Sequence, residues 1–466
     1  MITVRGLVRS WLARLWFLGL LAPGLTHSAE DLFCLREIPL VIPQVDYESA
    51  VYYKPGDPLP RIDLEKVRWD RVVQKEHRAV VMTSQYLEVT VLPQMGRVYS
   101  MVFRPTGHEV LWRNDIVRPG GGNNETGWWL WIGGIEYTLP GDEHGTTWAL
   151  PWTYRVLEDS PARKAVRMQV TEPTTGLVER IDLSLYPEAA GFEADIRIAN
   201  PGADTVSFAH WVNPQWVPGG RNELSDSTEF IIPTPQIRIE ERWQANLGPS
   251  PQPWPGNPLR CIRNWKMGDI MADGLEAGFY AAYAHDAGEG VVRVFDLATN
   301  PGVDLWTYGF HPREIPMGSG APNKGYAEMW GGTVATFPHE RRPLAPGQSI
   351  TWTEWMYPFQ QTEGLTFANQ TAAVTCRMDA ERVRVIVCPA RALRQPVLVL
   401  RADGRELARR PFAATPASPF RTVVELEEPT AAAEVLLLIE EGGVEVLRCR
   451  ASPDTAACPD PAPASH

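Results

Sequence analysis

Apolar and polar residues alternate along most of this chain, in short segments that end at Gly, Pro or Asn. A period of two is typical of a β-strand with one buried face, because successive side chains point to opposite sides. No long segment has apolar residues at helical spacing, so few helices are expected. The pattern predicts an all-β protein with strands within residues 79–90, 101–103, 110–112, 164–172, 177–187, 192–200, 205–213, 278–285, 290–298, 305–310, 326–337 and 349–359.

Two stretches lack this alternation. Residues 46–70 contain several prolines and are expected to form an extended, irregular lead-in. Residues 214–264 are longer and richer still in proline. A loop of that length inside a compact domain usually has a function, so we expect it to form a wall or a lid of a site.

The composition changes after Gly364, where tryptophan disappears and short aliphatic strands alternate with turns at Asp403-Gly404 and Gly442-Gly443. This pattern predicts a large domain over residues 30–364 and a small immunoglobulin-like β-sandwich over residues 365–450, with a structural or docking role. Residues 451–466 are of low complexity, and we expect a disordered tail.

The first 29 residues have the pattern of a signal peptide, with three arginines, an apolar run over residues 15–25, and Ser28 and Ala29 at the end. The alternative is a permanent single-span anchor, but the run is shorter than the roughly 20 residues that cross a bilayer. We therefore expect a secreted or periplasmic protein with no membrane span after cleavage.

Six cysteines would enter an oxidising compartment after export. An even number permits up to three disulfides, and sequence alone does not choose among the 15 pairings. Four of the six lie in the last hundred residues, so disulfides are expected there: Cys376, Cys388, Cys449 and Cys458, with Cys34 and Cys261 elsewhere.

Charge and composition exclude several classes of partner. The formal net charge of −12 argues against nucleic acid or an anionic membrane surface. A hydrophobic content of 44% with 42 Pro and 38 Gly is typical of a soluble, turn-rich protein. No cysteine or histidine spacing indicates zinc, and no cofactor or metal is expected. The oligomeric state is left open.

Residues 128–152 contain five tryptophans around Glu136, with Asp142, Glu143 and His144 close behind. Aromatic rings stack on the apolar face of a sugar, while carboxylates and an imidazole bind hydroxyls or move protons. The alternative is a pair of core strands, where tryptophan is common. Three later segments combine polar and aromatic residues in the same way: residues 208–220, 300–312 and 325–332.

Four segments along the chain occur in an order that is typical of one family. Residues 92–100 are similar to an LPELGGRVYS-like segment, and residues 133–140 to a GGIEFNWP-like one. Residues 306–309 and 326–332 match WTWG-like and YIELMTG-like segments. Over roughly residues 47–364 the chain thus resembles the bacterial DUF5107 family of the galactose-mutarotase-like superfamily. Four segments in the same order make a fairly specific match.

The resemblance implies a supersandwich, in which two large antiparallel sheets present a concave face to a carbohydrate. Related mutarotases use a histidine as acid and a glutamate as base at the sugar's ring oxygen and anomeric hydroxyl. Residues 210–213, His-Trp-Val-Asn, resemble the mutarotase His-x-Tyr-Phe-Asn segment. His210 is therefore a candidate catalytic residue.

The carboxylates Glu136 and Glu328 are the other catalytic candidates, because both lie in apolar strands beside glycines that allow a ligand to approach. Two carboxyls about 5 Å apart would suit retaining glycoside cleavage, and about 6.5–9.5 Å would suit inversion. The candidate sugar-binding residues are Trp129, Trp131, His144, Asn213, Trp306, Tyr308 and Trp330. Asp142, Glu143 and His311 are interpreted as solvated loop groups.

Two functions remain from the sequence. The first is an exported carbohydrate-active enzyme of glycoside hydrolase or aldose epimerase type that binds its glycan in a Trp-lined cleft. The second is a non-catalytic glycan-binding or cell-surface scaffold protein that retains only the fold. Glu136 and Glu328 on one face would favour the enzyme, and opposite faces would favour the scaffold.

Overall fold

A large antiparallel sheet organises the first domain in the computed structural model, which describes residues 33–122, 125–141, 143–310, 325–336, 340–426, 435–453 and 458. The sheet has twelve strands, and the short strand His108–Glu109 pairs beside Arg97–Phe103. The other eleven are, in spatial order, Lys266–Ala272, Val303–Gly309, Ala327–Gly332, Trp211–Trp216, Ile135–Thr138, Arg97–Phe103, Leu87–Leu92, Arg68–Thr83, Cys34–Asp46, Arg113–Gly121 and Trp128–Gly133.

A second antiparallel sheet of eight strands packs against the first. Its strands are, in order, Thr153–Asp159, Lys164–Thr171, Val178–Leu185, Phe192–Ala199, Ser349–Gln360, Glu289–Val294, Phe279–Ala284 and Thr228–Ile231. The main apolar core lies between the two sheets and takes Val89 and Met82 from one and Ile181 and Ile196 from the other. The predicted all-β fold, a large two-sheet sandwich, is confirmed.

Alternation of side chains explains how each strand serves this core. In Leu87–Leu92, the residues Leu87, Val89 and Val91 are fully buried, while Glu88 and Thr90 between them are only partly covered. Residues 84–86 interrupt the single strand that was predicted over 79–90, so the segment forms two paired strands instead. The predicted strand cannot continue because Leu87 N–H donates to the Ser84 hydroxyl at 3.0 Å and closes a turn.

Short elements occupy the stretches that were predicted to be irregular. Residues 46–70 contain a hairpin of Val51–Tyr53 with Pro60–Ile62. Residues 214–264 contain the α-helix Glu241–Leu247 and the strand pair Gln236–Ile237 with Gln252–Pro253. Outside these stretches, the short strand Val206–Phe208 pairs with Arg342–Leu344. The 3₁₀ turns are Glu48–Ala50, Leu64–Lys66, Pro93–Met95, Thr147–Ala149, Pro258–Arg260 and Ile262–Asn264.

Two glycines divide the Trp-rich segment into two strands. Gly133 and Gly134 have φ angles of 104° and 83°, which residues that carry a side chain rarely adopt. A Cβ atom on Gly133 would lie 2.3 Å from the Trp112 carbonyl oxygen, and one on Gly134 would lie 2.2 Å from the Val98 carbonyl oxygen. The change of direction here separates Trp128–Gly133 from Ile135–Thr138, the strand that contains Glu136.

Gly133→Ala is expected to lower the free energy of unfolding by roughly 2–5 kcal/mol, because backbone strain adds to the contact with Trp112. Gly107→Ala is the matched control, since Gly107 also has a positive φ, 74°, but no atom within 4 Å of the added Cβ. Urea unfolding followed by tryptophan fluorescence measures both. Equal losses for the two variants would show that the close packing at Gly133 is unimportant.

The C-terminal domain consists of two small sheets around a core of its own. One contains Phe367–Ala368, Ala372–Met378, Arg382–Pro389 and Phe420–Glu425, with Ser452–Pro453 beside Ala372–Met378. The other contains Arg405–Pro411, Pro396–Ala402, Val435–Glu441 and Val444–Arg450. Phe279, Tyr357 and Phe359 of the large domain pack against Ala373 and Cys388 of the small one. This contact joins the two domains.

One disulfide links Cys261 of the large domain to Cys458 across 197 residues. Cys34, Cys376, Cys388 and Cys449 are free thiols. The sequence left the pairing open; one of the four late cysteines, Cys458, pairs with Cys261 in the loop before strand Lys266–Ala272. The predicted signal peptide and most of the predicted tail lie outside the described residues. Among the residues described, no helix has the length and apolarity needed to cross a membrane.

Candidate functional site

Polar residues gather on the face of the twelve-stranded sheet that points away from the second sheet. Leu305, Met329 and Val212 belong to the core between the sheets. Their neighbours in each strand therefore point the opposite way. We call this side the polar face; on the five strands from Lys266–Ala272 to Ile135–Thr138 it presents Asp269, Asp304, Trp306, Tyr308, Glu328, Trp330, Asn213, Gln215 and Glu136.

Glu136 lies at one end of the polar face between two basic groups. Arg97 Nη2 donates to Glu136 Oε2 at 2.9 Å, while Arg97 Nη1 donates to the Gly133 carbonyl at 2.6 Å. His144 Nδ1 lies 3.3 Å from Glu136 Oε1. Burial alone would raise the pKa of Glu136, but His144 and Arg97 outweigh it, so the pKa lies below its ordinary value. Glu136 is therefore an ionised carboxylate at neutral pH.

His144 reaches this position because residues 139–141 and 143–146 lie back over the strand. Thr146 N–H donates to the Leu139 carbonyl at 2.8 Å, and His144 itself has a φ of 63°. Its ring stacks on Trp129 with centroids 4.7 Å apart and lies 5.4 Å from the Trp330 ring. Burial would lower the pKa of His144, but the Glu136 carboxylate outweighs burial and raises it. The Glu136 carboxylate thus favours the protonated form of His144.

Glu328 lies on the same face and is bonded only by neutral donors among the described residues. Its Oε2 accepts from Trp330 Nε1 at 2.8 Å and from Asn213 Nδ2 at 3.2 Å, and its Oε1 accepts from Gln215 Nε2 at 3.2 Å. Burial and the negative charge of Glu136 raise the pKa of Glu328 to about 6, against the opposing effect of His144. Glu328 can therefore be a protonated acid in mildly acidic solution.

Aromatic rings form the rest of the site. Trp129, Trp306 and Tyr308 are partly exposed, whereas Trp131 and Trp330 are buried. The Trp306 and Tyr308 rings meet edge to face at 4.3 Å, and Trp131 Nε1 donates to the Tyr326 hydroxyl at 2.8 Å. Partly exposed rings on a polar face provide flat apolar surface beside hydrogen-bonding groups, the combination that binds sugars.

The structure brings together most of the residues that were predicted from the sequence. Glu136, Glu328, His144, Asn213 and Trp330 are linked by the contacts above, and Trp129, Trp131, Trp306 and Tyr308 lie around them. Glu143 is exposed, as expected, and Asp142 and His311 lie outside the described residues.

His210 is the exception, and its assignment as a catalytic residue is corrected here. Its side chain is fully buried in the core between the two sheets, where Nε2 lies 2.8 Å from Glu179 Oε1 and the ring lies 5.2 Å from that of Trp352. Side chains alternate along this segment, so His210 and Asn213 point to opposite faces. A sugar on the polar face cannot touch it. The imidazole beside the carboxylates belongs to His144.

Four polar residues at this face were absent from the candidate site residues: Arg97, Gln215, Asp269 and Asp304. Arg97 begins the apolar strand Arg97–Phe103 and is buried. An arginine at the start of an apolar strand is the sequence signal that could have identified it. Gln215 and Asp269 gave no local signal, because their positions depend on the pairing of distant strands.

Within the described residues, no three His, Cys, Asp or Glu side chains converge in a way that could hold a metal ion.

Several solved structures are similar to this chain. A TPR-domain containing protein from Parabacteroides distasonis is 20% identical with a TM-score of 0.57, over 70% of this chain and 55% of that protein. This chain thus spans little more than half of that relative's length. A galactose mutarotase related enzyme from Lactobacillus acidophilus is 12% identical with a TM-score of 0.44, over 62% of this chain and 100% of the other. A galactose mutarotase-like protein from Clostridium acetobutylicum is 11% identical with a TM-score of 0.44, over 63% of this chain and 97% of the other.

Two families match the sequence of this chain. The family described as "YphG-like protein, second domain" matches residues 367–448, which form the small C-terminal domain. The family described as "Domain of unknown function (DUF5107)" matches residues 66–359, which contain every residue of the polar face. Because this match covers more than half of the chain, the protein belongs to the DUF5107 family.

Proposed function

We propose that the polar face binds a carbohydrate and catalyses acid–base chemistry at its anomeric centre, with Glu328 as the acid and Glu136 as the base. One observation supports this most strongly. The two carboxyls lie on one face, yet their surroundings shift their pKa values in opposite directions. A pair of carboxyls with divergent pKa values is the arrangement that divides acid and base roles.

The spacing of the two carboxyls fits this chemistry. A single strand, Trp211–Trp216, separates the strand of Glu136 from that of Glu328. Glu136 lies opposite Asn213 and Glu328 lies opposite Gln215, so two strand spacings and an offset of two residues place the two backbones about 12 Å apart. Asn213 Nδ2 donates to Glu328 Oε2 at 3.2 Å, so the Glu328 side chain extends towards Glu136. Glycoside cleavage with inversion uses carboxyls about 6.5–9.5 Å apart, which leaves room for a water molecule. Epimerase chemistry would use the same acid and base on the ring oxygen and the anomeric hydroxyl.

A screen of the purified chain tests the proposal. A glycan array identifies bound sugars, and NMR of those sugars follows both new reducing ends and exchange between α and β anomers. New reducing ends would identify a glycoside hydrolase, and faster anomer exchange would identify an epimerase. Absence of binding to any glycan would refute the proposal.

The pH profile follows from the two pKa shifts. We expect kcat/KM to fall above about pH 6, because Glu328 then loses the proton that it must donate. Activity should also fall on the acid side, but only below the ordinary range of a glutamate, since the pKa of Glu136 is lowered. A rate profile from pH 3 to pH 9 measures both limbs. An alkaline limb well above pH 7 would instead assign the acid to His144, whose pKa is raised above its usual value.

A glycan-binding protein without turnover is the second candidate. One observation favours it: both oxygens of Glu136 are already engaged, one by Arg97 and the other by His144. A carboxylate so held is a strong hydrogen-bond acceptor but a weak base. Binding on the array with no change in any bound sugar over long incubation would support this candidate.

We also propose that the protein is exported. The Cys261–Cys458 disulfide supports this, because such bonds persist mainly in oxidising compartments. Fractionation of the producing cells tests it. Mature protein in the periplasm or medium is expected, and recovery only from the cytosol with all cysteines reduced would refute it.

A further inference from the structure

Two aspartates lie at the far end of the polar face from Glu136. Asp304 lies opposite Trp330 on the neighbouring strand, and Asp269 lies opposite Trp306 on the other side. Asp304 is only 5% exposed and Asp269 only 6%. Nothing in the acid–base chemistry above uses them.

Asp304 has no bonding partner among the residues that the structure describes, and its Oδ1 is completely buried. The Oδ1 atom of Asp269 is also buried without a partner, while its Oδ2 lies 3.5 Å from Arg242 Nη2. Burying a carboxyl without a partner is costly, so such groups in native proteins usually serve a ligand.

The electrostatics of this pair suit a neutral, hydroxyl-rich ligand. Burial and the charge of Asp269 raise the pKa of Asp304 well above its ordinary value, and burial with the charge of Glu240 raises that of Asp269 to about 6. A protonated carboxyl donates one hydrogen bond and accepts others. Sugar hydroxyls also both donate and accept, so the two groups match.

The aspartates are too far from Glu136 to contact the same sugar ring. The strand of Asp304 is third from the strand of Glu136 in the sheet. Three strand spacings amount to about 14 Å, which exceeds the reach of one pyranose ring. Trp306 and Tyr308, both partly exposed, lie on the strand of Asp304 and offer a stacking surface there.

We propose that Asp269 and Asp304, with the Trp306 ring, form a second sugar subsite, so that the ligand of the polar face is an oligosaccharide and not a free monosaccharide. This inference rests on the proposed function, because it presumes that Glu136 and Glu328 contact the first sugar unit. The face then binds an extended chain across five strands.

Binding of matched sugars of increasing length tests the inference. The probes are glucose, N-acetylglucosamine, mannose and galactose, each compared with its β-1,4-linked disaccharide and tetrasaccharide by isothermal titration calorimetry on the full chain. We expect affinity to rise at least tenfold from monosaccharide to oligosaccharide for the sugar that binds. Asp304→Leu should reduce that rise to less than about threefold, because leucine has a similar shape to a protonated aspartate but neither donates nor accepts a hydrogen bond.

Asp195→Leu is the matched control, because Asp195 lies on the second sheet, where it accepts a hydrogen bond from Thr353 at 2.5 Å. It should keep the full rise. Monosaccharide binding without any rise, or an unchanged rise in Asp304→Leu, would overturn the second subsite and leave the proposed function standing. Failure of every sugar of every length to bind would overturn both.

Discussion

Glu328→Gln is expected to lower turnover of the bound glycan by roughly 10²–10⁴-fold, the usual contribution of a general acid. Glutamine has the shape of glutamate but no acidic proton to transfer to the substrate, so turnover should fall while glycan affinity stays within a few-fold. Glu136→Gln should have a similar effect on turnover, because it removes the base. Initial rates and calorimetric affinity for the same glycan separate loss of chemistry from loss of binding.

Thermal unfolding of each variant must accompany these rates, since both side chains are buried. In Glu136→Gln, the amide oxygen can still accept from Arg97, so we expect the fold to persist. Asp195→Asn, on the second sheet, serves as the control for these amide variants and should keep full activity. Unchanged turnover in both Gln variants would show that the chemistry does not occur at these two carboxyls.

Arg293→Met is expected to lower the free energy of unfolding by about 3–5 kcal/mol, the cost of removing one partner from a buried ion pair. Arg293 is fully buried, and its Nε and Nη2 donate to Glu354 at 2.8 and 2.5 Å. Its Nη1 donates to the Gly331 carbonyl at 3.0 Å, on the strand that contains Glu328. The arginine thus ties the polar face to the second sheet.

Urea unfolding followed by tryptophan fluorescence measures this loss in the large domain, because all 18 tryptophans precede residue 365. The double variant Arg293→Met with Glu354→Leu should recover part of the stability, since it removes both buried charges. A loss below about 1 kcal/mol in the single variant would mean that solvent or another group compensates Glu354.

Much of the fold could be predicted because the alternation is local. The strands Phe192–Ala199 and Ser349–Gln360 fall within segments whose period of two is visible in the sequence. The long strand Cys34–Asp46 was missed, because its residues are exposed or partly exposed along much of its length and show no clean alternation. The hairpin of residues 51–62 was hidden by its prolines.

Site residues could be predicted from the sequence where a charged side chain lies among the apolar residues of a strand. Glu136 and Glu328 are acids within apolar strands, and that conflict marks a functional position. His210 was misassigned, although alternation from Asn213 already places the two on opposite faces. His144 was among the predicted sugar-binding residues, but its contact with Glu136 depends on a loop that folds back over the sheet. The position of Asp304 beside Trp330 depends on the pairing of distant strands. Neither the loop nor the pairing can be derived from local sequence.

A crystal structure of the full chain with an oligosaccharide from the array tests the central claim most directly. We predict one sugar unit between Glu136 and Glu328, with His144 and Trp330 beside it and the next unit against Trp306. Electron density for the glycan on any other surface, with the polar face holding none, would contradict the account.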